Sequence, residues 1–339
     1  MRRIHTLAVL AAVALASGTS VRADVQTQQK THVQFAGALG RMVNMFGGKA
    51  AKEGIVQTIA VKGDRMMTTN DKTAELIDMA EEKVYNIDLD SKSYKVVTFA
   101  ELRQKMQEAQ AKAKEHMDAA KEKQEKQEKQ EKPTEPQKKM AIDVSTHETG
   151  QKKTINGFDC KQVITTVTMH DESKTLEQGG GMVMTTDSWM TSPIPAMKEV
   201  GAFRKRYFEK LSGMDTQAAA EQMAQALAMY PQMKDVIGRA RVEGAKVDGT
   251  PISTTASIDT VESPEQKQQQ AEQEKQQDAP SGLGGMLARK MMKKKSQDSA
   301  AGGDPNRSSV MTSTIEVLSV ATSVSADAVS IPAGFKLKN

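Results

Sequence analysis

Alternating apolar and polar positions dominate this chain, and they predict strands before anything else about it is known. "VQTQQKTHVQF" (25 to 35) alternates weakly. "GIVQTIAVKGDRMMTTN" (54 to 70) alternates strongly, with Ile55, Gln57, Ile59 and Val61 on one face and Gly63-Asp64 as a turn. "TAELIDM" and "KVYNIDLDSKSYKVVTF" continue the period, Tyr85, Ile87 and Leu89 sharing a face before a turn at residues 90 to 93. Together these runs predict an antiparallel meander. Further strands follow at "MAIDVSTHETG" and "KKTINGFDCKQVITTVTMH", with Asn156-Gly157 as hairpin turn. The remaining predicted strands are "EQGGGMVMTTDSWM", "ARVEGAKV", "PISTTASIDTVE" and "SVMTSTIEVLSVATSV".

Elsewhere the period becomes helical. Leu39, Met42, Val43 and Phe46 form a short stripe ahead of Gly47-Gly48. Phe99, Leu102, Met106, Ala109, Ala113 and Met117 form a narrow second one. Beyond Ala120, "KEKQEKQEKQEKPTEP" has only Glu-to-Lys pairs at helical spacing to support it, which predicts a solvated, fraying helix. A coiled coil is the sharper reading of 99 to 120, although its apolar stripe fails early. Met197, Val200, Phe203, Tyr207 and Leu211 make a third stripe, with two more helices expected at 215 to 237. Residues 263 to 307, rich in Gln, Lys, Ser and Gly, read as a disordered loop.

Residues 1 to 23 read as a secretory leader: Arg2 and Arg3, the apolar run "LAVLAAVALA", then small residues ending at Ala23. That run is too short to span a bilayer. The expectation is an exported, periplasmic product. It is not expected to be a lipoprotein, since no cysteine follows the apolar run. The formal charge of +4 falls close to neutral once Arg2, Arg3 and Arg22 leave with the leader, so no basic field for nucleic acid is expected.

Candidate chemistry is sparse. Cys160 is the only cysteine, which excludes an internal disulfide, and on its strand it reads as a packed side chain rather than a nucleophile. His32, His116, His147 and His170 stand alone, and Gln151 occupies the place where His147-Glu148 needs a second histidine to begin a zinc-protease motif. No metal, cofactor or enzymatic activity is expected. "GLGGMLARKMMKKK" (282 to 295) could place Met286, Leu287 and Met291 beside Lys290 and Lys293 as a peripheral membrane contact, against the plainer reading of a floppy linker.

"IAVKGDRMMTTN", "KVYNIDLDSKSYKVVTF", "KKTINGFDCKQV", "DSWMTSPIPAMKEV" and the closing "IPAGFK" together resemble a group of exported bacterial proteins of unknown function. That group is similar to the LolA-like superfamily of lipoprotein carriers and envelope sensors. The resemblance implies an α+β fold: an antiparallel sheet curled into an incomplete β-barrel, its concave apolar face covered by helices. It divides one domain into residues 24 to 117, 140 to 262 and 308 to 339. The charged segment at 118 to 139 and the loop at 263 to 307 depart from the simple carrier.

Amphipathic stripes that must bury their apolar side against a one-faced sheet agree with this arrangement. The expected activity is non-enzymatic holding of an apolar ligand (lipid, acyl chain or lipoprotein-like cargo) between sheet and helices. Ile59, Val61, Tyr85, Ile87, Trp189, Phe203 and Tyr207 are the expected wall, and a closed packed core is the competing reading for each. The alternative is an envelope sensor or scaffold that meets a protein partner through the helix near 99 to 120.

Overall fold

In a computed structural model the described residues are 24–128, 139–213, 217, 238–239, 242–244, 247–269 and 306–338. They form one open sheet of twelve strands in the order β12-β6-β5-β4-β3-β2-β1-β11-β10-β9-β8-β7. β1 (Val25–Phe35) lies near its middle. On one side come β2 (Ile55–Lys62), β3 (Arg65–Thr69), β4 (Thr73–Asp78), β5 (Lys83–Asp88) and β6 (Ser93–Thr98). On the other come β7 (Met140–Ile155), β8 (Phe158–Asp171), β9 (Gly181–Thr191), β10 (Thr250–Val261) and β11 (Arg307–Ala321). All these neighbours are antiparallel; only β12 (Lys336–Leu337) pairs parallel, with β6.

The β2–β6 flank is therefore a meander of local hairpins, as are β7, β8 and β9, whereas long connections join β9 to β10 and β10 to β11; the two flanks meet at a seam where the first long strand pairs with the last. Turn chemistry sets these hairpins. Asn156 and Gly157 have φ of 49° and 85°, the left-handed pair a two-residue hairpin needs, so Ile155 faces Phe158. Gly54 has φ of 82°, and a Cβ there would lie 2.7 Å from the Thr31 carbonyl oxygen.

Five α-helices with described ends decorate the sheet. α1 (Gly37–Phe46) and α2 (Gly48–Glu53) lie beside β1, where His32 Nε2 and the Ala51 carbonyl oxygen are 3.2 Å apart. α3 (Phe99–Glu128) follows β6 directly, α4 (Leu176–Gly179) is one capped turn between β8 and β9, and α5 (Pro195–Ser212) follows β9. α5 begins on a proline at its first position and ends on Gly213 at φ of 68°, the usual start and stop for a helix.

Two layers cover opposite faces of the β2–β6 flank. On one, Val61, Met66, Ile77 and Val84 lie in a row and pack with Val25, Ile59 and Phe99 under Ala196, Val200, Phe203 and Leu211 of α5. Phe99 and Phe203 are wholly buried there, and Tyr207 meets Phe99 edge-on at 5.3 Å. On the other face, Ala60, Met67, Leu76 and Ile87 pack under Val324 and Val329, with Tyr85, Tyr94 and Phe335 at the margin. The chain after β11 thus crosses the back of the flank before ending as β12.

Several expectations need revision. Within the predicted strand "ARVEGAKV", Val242, Glu243 and Gly244 are helical. Residues 264–269, at the start of the expected disordered loop, form a helical turn whose Ser263 and Gln266 cap one another. The charged run after Ala120, expected to be helical, does continue α3 as far as Glu128. The rest of the loop, the leader, residues 129–138 and most of the two helices expected at 215 to 237 lie outside the described residues.

Candidate apolar binding face

β1 carries the geometry of the seam. Its pairing with β2 is unbroken, and its register shift against β11 is absorbed by β11, since Gln28 faces Ser319 and Gln29 faces Val317. Val25, Thr27, Gln29, Thr31, Val33 and Phe35 therefore share a face by alternation. Val25 sits in the core under α5. Followed outward, that same face carries one row straight across six strands: Phe35, Met311, Ile258, Met184, Val167 and Val144 are successive cross-strand partners. At strand spacing the row is about 24 Å wide.

The row beside it points the other way and is entirely polar: Gln34, Thr312, Ser257, Thr185, Thr166 and Ser145. The row itself is thus apolar and its neighbour on the opposite side polar, whereas the next row on the same face is mixed: Val33, Ser313, Ala256, Thr186, Thr165 and Thr146. Ile142, Met169 and Met182 extend the apolar side by a further row. It is only partly covered. Met182, Met184 and Ile315 are 36%, 40% and 43% exposed, and the six members of the row include no buried residue. α5 lies over β1 and β2, and its Met197 packs against the cluster of Trp189, Ile252 and Val317, away from this row.

The seven residues expected to wall one cavity are not brought together. Ile59, Val61, Phe203 and Tyr207 do meet, in the packed layer under α5. Tyr85 and Ile87 lie on the opposite face, under the crossing C-terminal segment. Trp189 belongs to a third cluster with Cys160, Ile252 and Val317, against Ile194 and Met197. The membrane-contact candidates Met286, Leu287, Lys290, Met291 and Lys293 lie outside the described residues.

Along β8 the apolar face runs from Val167 through Thr165 and the buried Val163 to Lys161, which pairs in register with the buried Met190. At that end a cavity of about 620 Å³ opens, lined by Lys152, Lys153, Lys161, Asp159, Asp248 and residues 190 to 193, with Thr154 and Cys160. Lys161 donates to Glu148 at 2.5 Å, Thr154 Oγ1 donates to Asp159 at 2.8 Å, and the Lys153 ammonium lies 3.8 Å from the centre of the Trp189 ring. A second cleft, of about 550 Å³, opens on the β2–β6 flank beside the polar row Thr68, Glu75, Asn86 and Lys95.

Cys160 is buried, its thiol donating to the Phe158 carbonyl oxygen at 3.3 Å, and burial followed by nearby Asp159 pushes the thiol pKa up. Burial, then a hydrogen bond to Glu81, pushes the Tyr85 phenol up to about 12. His170 Nδ1 donates to the carbonyl oxygens of Asp171 and Lys174, both at 2.9 Å, and Nε2 lies 3.5 Å from Asp143; the Asp171 carbonyl is the largest influence raising its pKa. No group of three or more His, Cys, Asp or Glu side chains suited to a metal ion occurs among the described residues. None of their helices is long and apolar enough to cross a membrane.

No protein-family model matches this chain, and no curated protein and no solved structure is significantly similar to it.

Proposed function

We propose that this chain is an exported, periplasmic, non-enzymatic binding protein that holds an apolar ligand, a lipid or acyl chain, against the Met-rich half of a curled, LolA-like sheet. The observation that carries this reading is the partly exposed row Phe35-Met311-Ile258-Met184-Val167-Val144, on the same face of β1 as Val25 of the packed core under α5. A sheet face left wet at this size asks for an occupant. Three of its neighbouring side chains, Met169, Met182 and Met184, are unbranched thioethers that adapt to chains of varied shape. The curl is supported by the β7–β8 turn, where Asn156 donates to Glu316 and to the Val317 carbonyl oxygen on β11, reaching past β9 and β10. Binding would come from burial, at roughly 0.8 kcal/mol per methylene before ordering costs.

The test is uptake of a fluorescent fatty acid by the purified protein, with Val167→Asp and Met184→Asp as variants. Uptake by the parent and at least a tenfold loss in each variant supports the reading; no uptake by a folded parent sinks it.

One observation favours a scaffold role as a second reading. Phe99, Leu102 and Met106 anchor the start of α3, whereas every side chain from Gln107 to Lys112 is exposed, so the rest of the predicted stripe has no partner in that stretch. Crosslinking in cells separates the two readings: removal of residues 107–128 abolishes partner capture but spares lipid uptake if α3 is a docking helix.

A further inference from the structure

α1 turns apolar side chains toward solvent. Gly40 faces the sheet: it is buried, and a Cβ on it would lie 1.7 Å from the Phe35 carbonyl oxygen, so the helix is seated closely against the end of β1. Val43, one turn on, is half-buried. Met42 and Met45 are three residues apart and lie on the side away from Gly40. They are 53% and 71% exposed, and no other large apolar side chain among the described residues is as open as Met45. A surface helix ordinarily presents polar residues on that side. The helix also has little of its own to hold it: Ala36 gives no side-chain cap, the first turn carries no acid and the last no base. Charge beside the methionines has one sign. Arg41, Lys49 and Lys52 are all exposed, and between Asp24 and Glu53 the chain has no acidic residue. Glu53 lies 3.7 Å from Lys49. α2, which carries Lys49 and Lys52, is held beside β1 where His32 meets the Ala51 carbonyl oxygen.

We infer that the α1–α2 corner docks the protein on an anionic lipid surface. Met42 and Met45 enter the boundary between headgroups and acyl chains, and Arg41, Lys49 and Lys52 lie against the lipid phosphates. A protein partner would cover the same two methionines, but the run of bases without an acid selects an anionic surface. An apolar surface outside α1 also supports a helix that its own ends do not. The corner follows directly on Phe35, the first member of the apolar row, so it adjoins one end of that face. Docking itself does not depend on what the row holds.

The purified chain is sedimented with vesicles of phosphatidylcholine alone and of phosphatidylcholine mixed with phosphatidylglycerol, in low and high salt. A Met42→Gln/Met45→Gln variant and an Arg41→Gln/Lys49→Gln/Lys52→Gln variant are run beside it. We expect the parent to bind the anionic vesicles about fivefold tighter than the neutral ones, a preference that shrinks in high salt. Each variant should lose about fivefold on anionic vesicles, with an unchanged urea midpoint because the replaced side chains are exposed. Hydrogen exchange on the parent locates the contact without any variant: the amides of residues 37–46 should slow when anionic vesicles are added. No binding to anionic vesicles overturns the docking site. Binding that leaves these amides unprotected, or that the methionine variant retains in full, overturns it as well. Self-association of the parent that the methionine variant abolishes, with no vesicle binding, gives the corner to a second copy and overturns the lipid assignment. Fatty-acid uptake, measured on the same samples, should be equal in parent and variants; its absence from all of them counts against the proposed ligand and leaves the docking site standing.

Discussion

Asn156 does two things at once, and they can be separated. Its positive φ makes the hairpin turn, and its amide donates to Glu316 and Val317 at 2.8 and 2.9 Å. Asn156→Gly keeps the turn and removes the tether; we expect a loss of about 1 kcal/mol in urea unfolding. Asn156→Ala removes both, so a loss at least 1 kcal/mol larger is expected, because alanine resists the left-handed region. His170 gives a pH effect. Its folded-state pKa is raised, so its contribution is fully present below the ordinary value of 6.5 and fades as pH climbs through the folded value. His170→Gln should therefore flatten the fall in melting temperature between mildly acidic and mildly alkaline buffer. Cys160, buried and with its thiol pushed up, should react with iodoacetamide at pH 8 far more slowly in the native protein than in urea. Its assignment as a packed side chain on a strand was legible from residue type and alternation alone.

At the level of elements, alternation and turn residues were enough to place most strands. β1 falls on the very segment predicted, and Gly63-Asp64 and Asn156-Gly157 make the turns expected of them. The α5 stripe was equally plain, since Val200, Phe203 and Leu211 are buried and Tyr207 packs beside them. Short elements escaped: β12 has two residues and α4 one turn, too little to show a period. The choice of face also escaped. On β5, Val84 and Ile87 are both buried, on opposite sides, because the α5 layer covers one face and the C-terminal crossing covers the other. Alternation within such a strand cannot say which side is inward, and Tyr85 and Ile87 were assigned to the wrong layer for a shared wall with Val61. The Met-rich row was hidden for another reason: each strand contributes one residue, and only register links them. The two apolar regions should respond differently to truncation. Phe203→Ala removes a wholly buried ring and should cost about 3 to 5 kcal/mol in urea unfolding. Met184→Ala, at a site 40% exposed, should cost less than about 1 kcal/mol there, while weakening fatty-acid uptake severalfold.

For the molecule as a whole, the β2–β6 flank and the β7–β9 hairpins are local in sequence, but the pairings of β10 and β11 and the junction with β1 are not. β1 and β11 pair across nearly the full chain, Phe35 with Met311 and Gln26 with Ala321. β2 to β6 and β7 to β9 can each zip up from their own hairpins, whereas the seam cannot begin until its last strand exists. Loop closure over such a span slows the step without weakening the final state much. Until then, β1 and β11 each present an unpaired edge, and Val33, Phe35 and Met311 have no cross-strand neighbours at the junction. A nascent chain therefore carries the unpaired edge of its first strand for as long as synthesis lasts, and is most vulnerable to self-association just before its final strand docks.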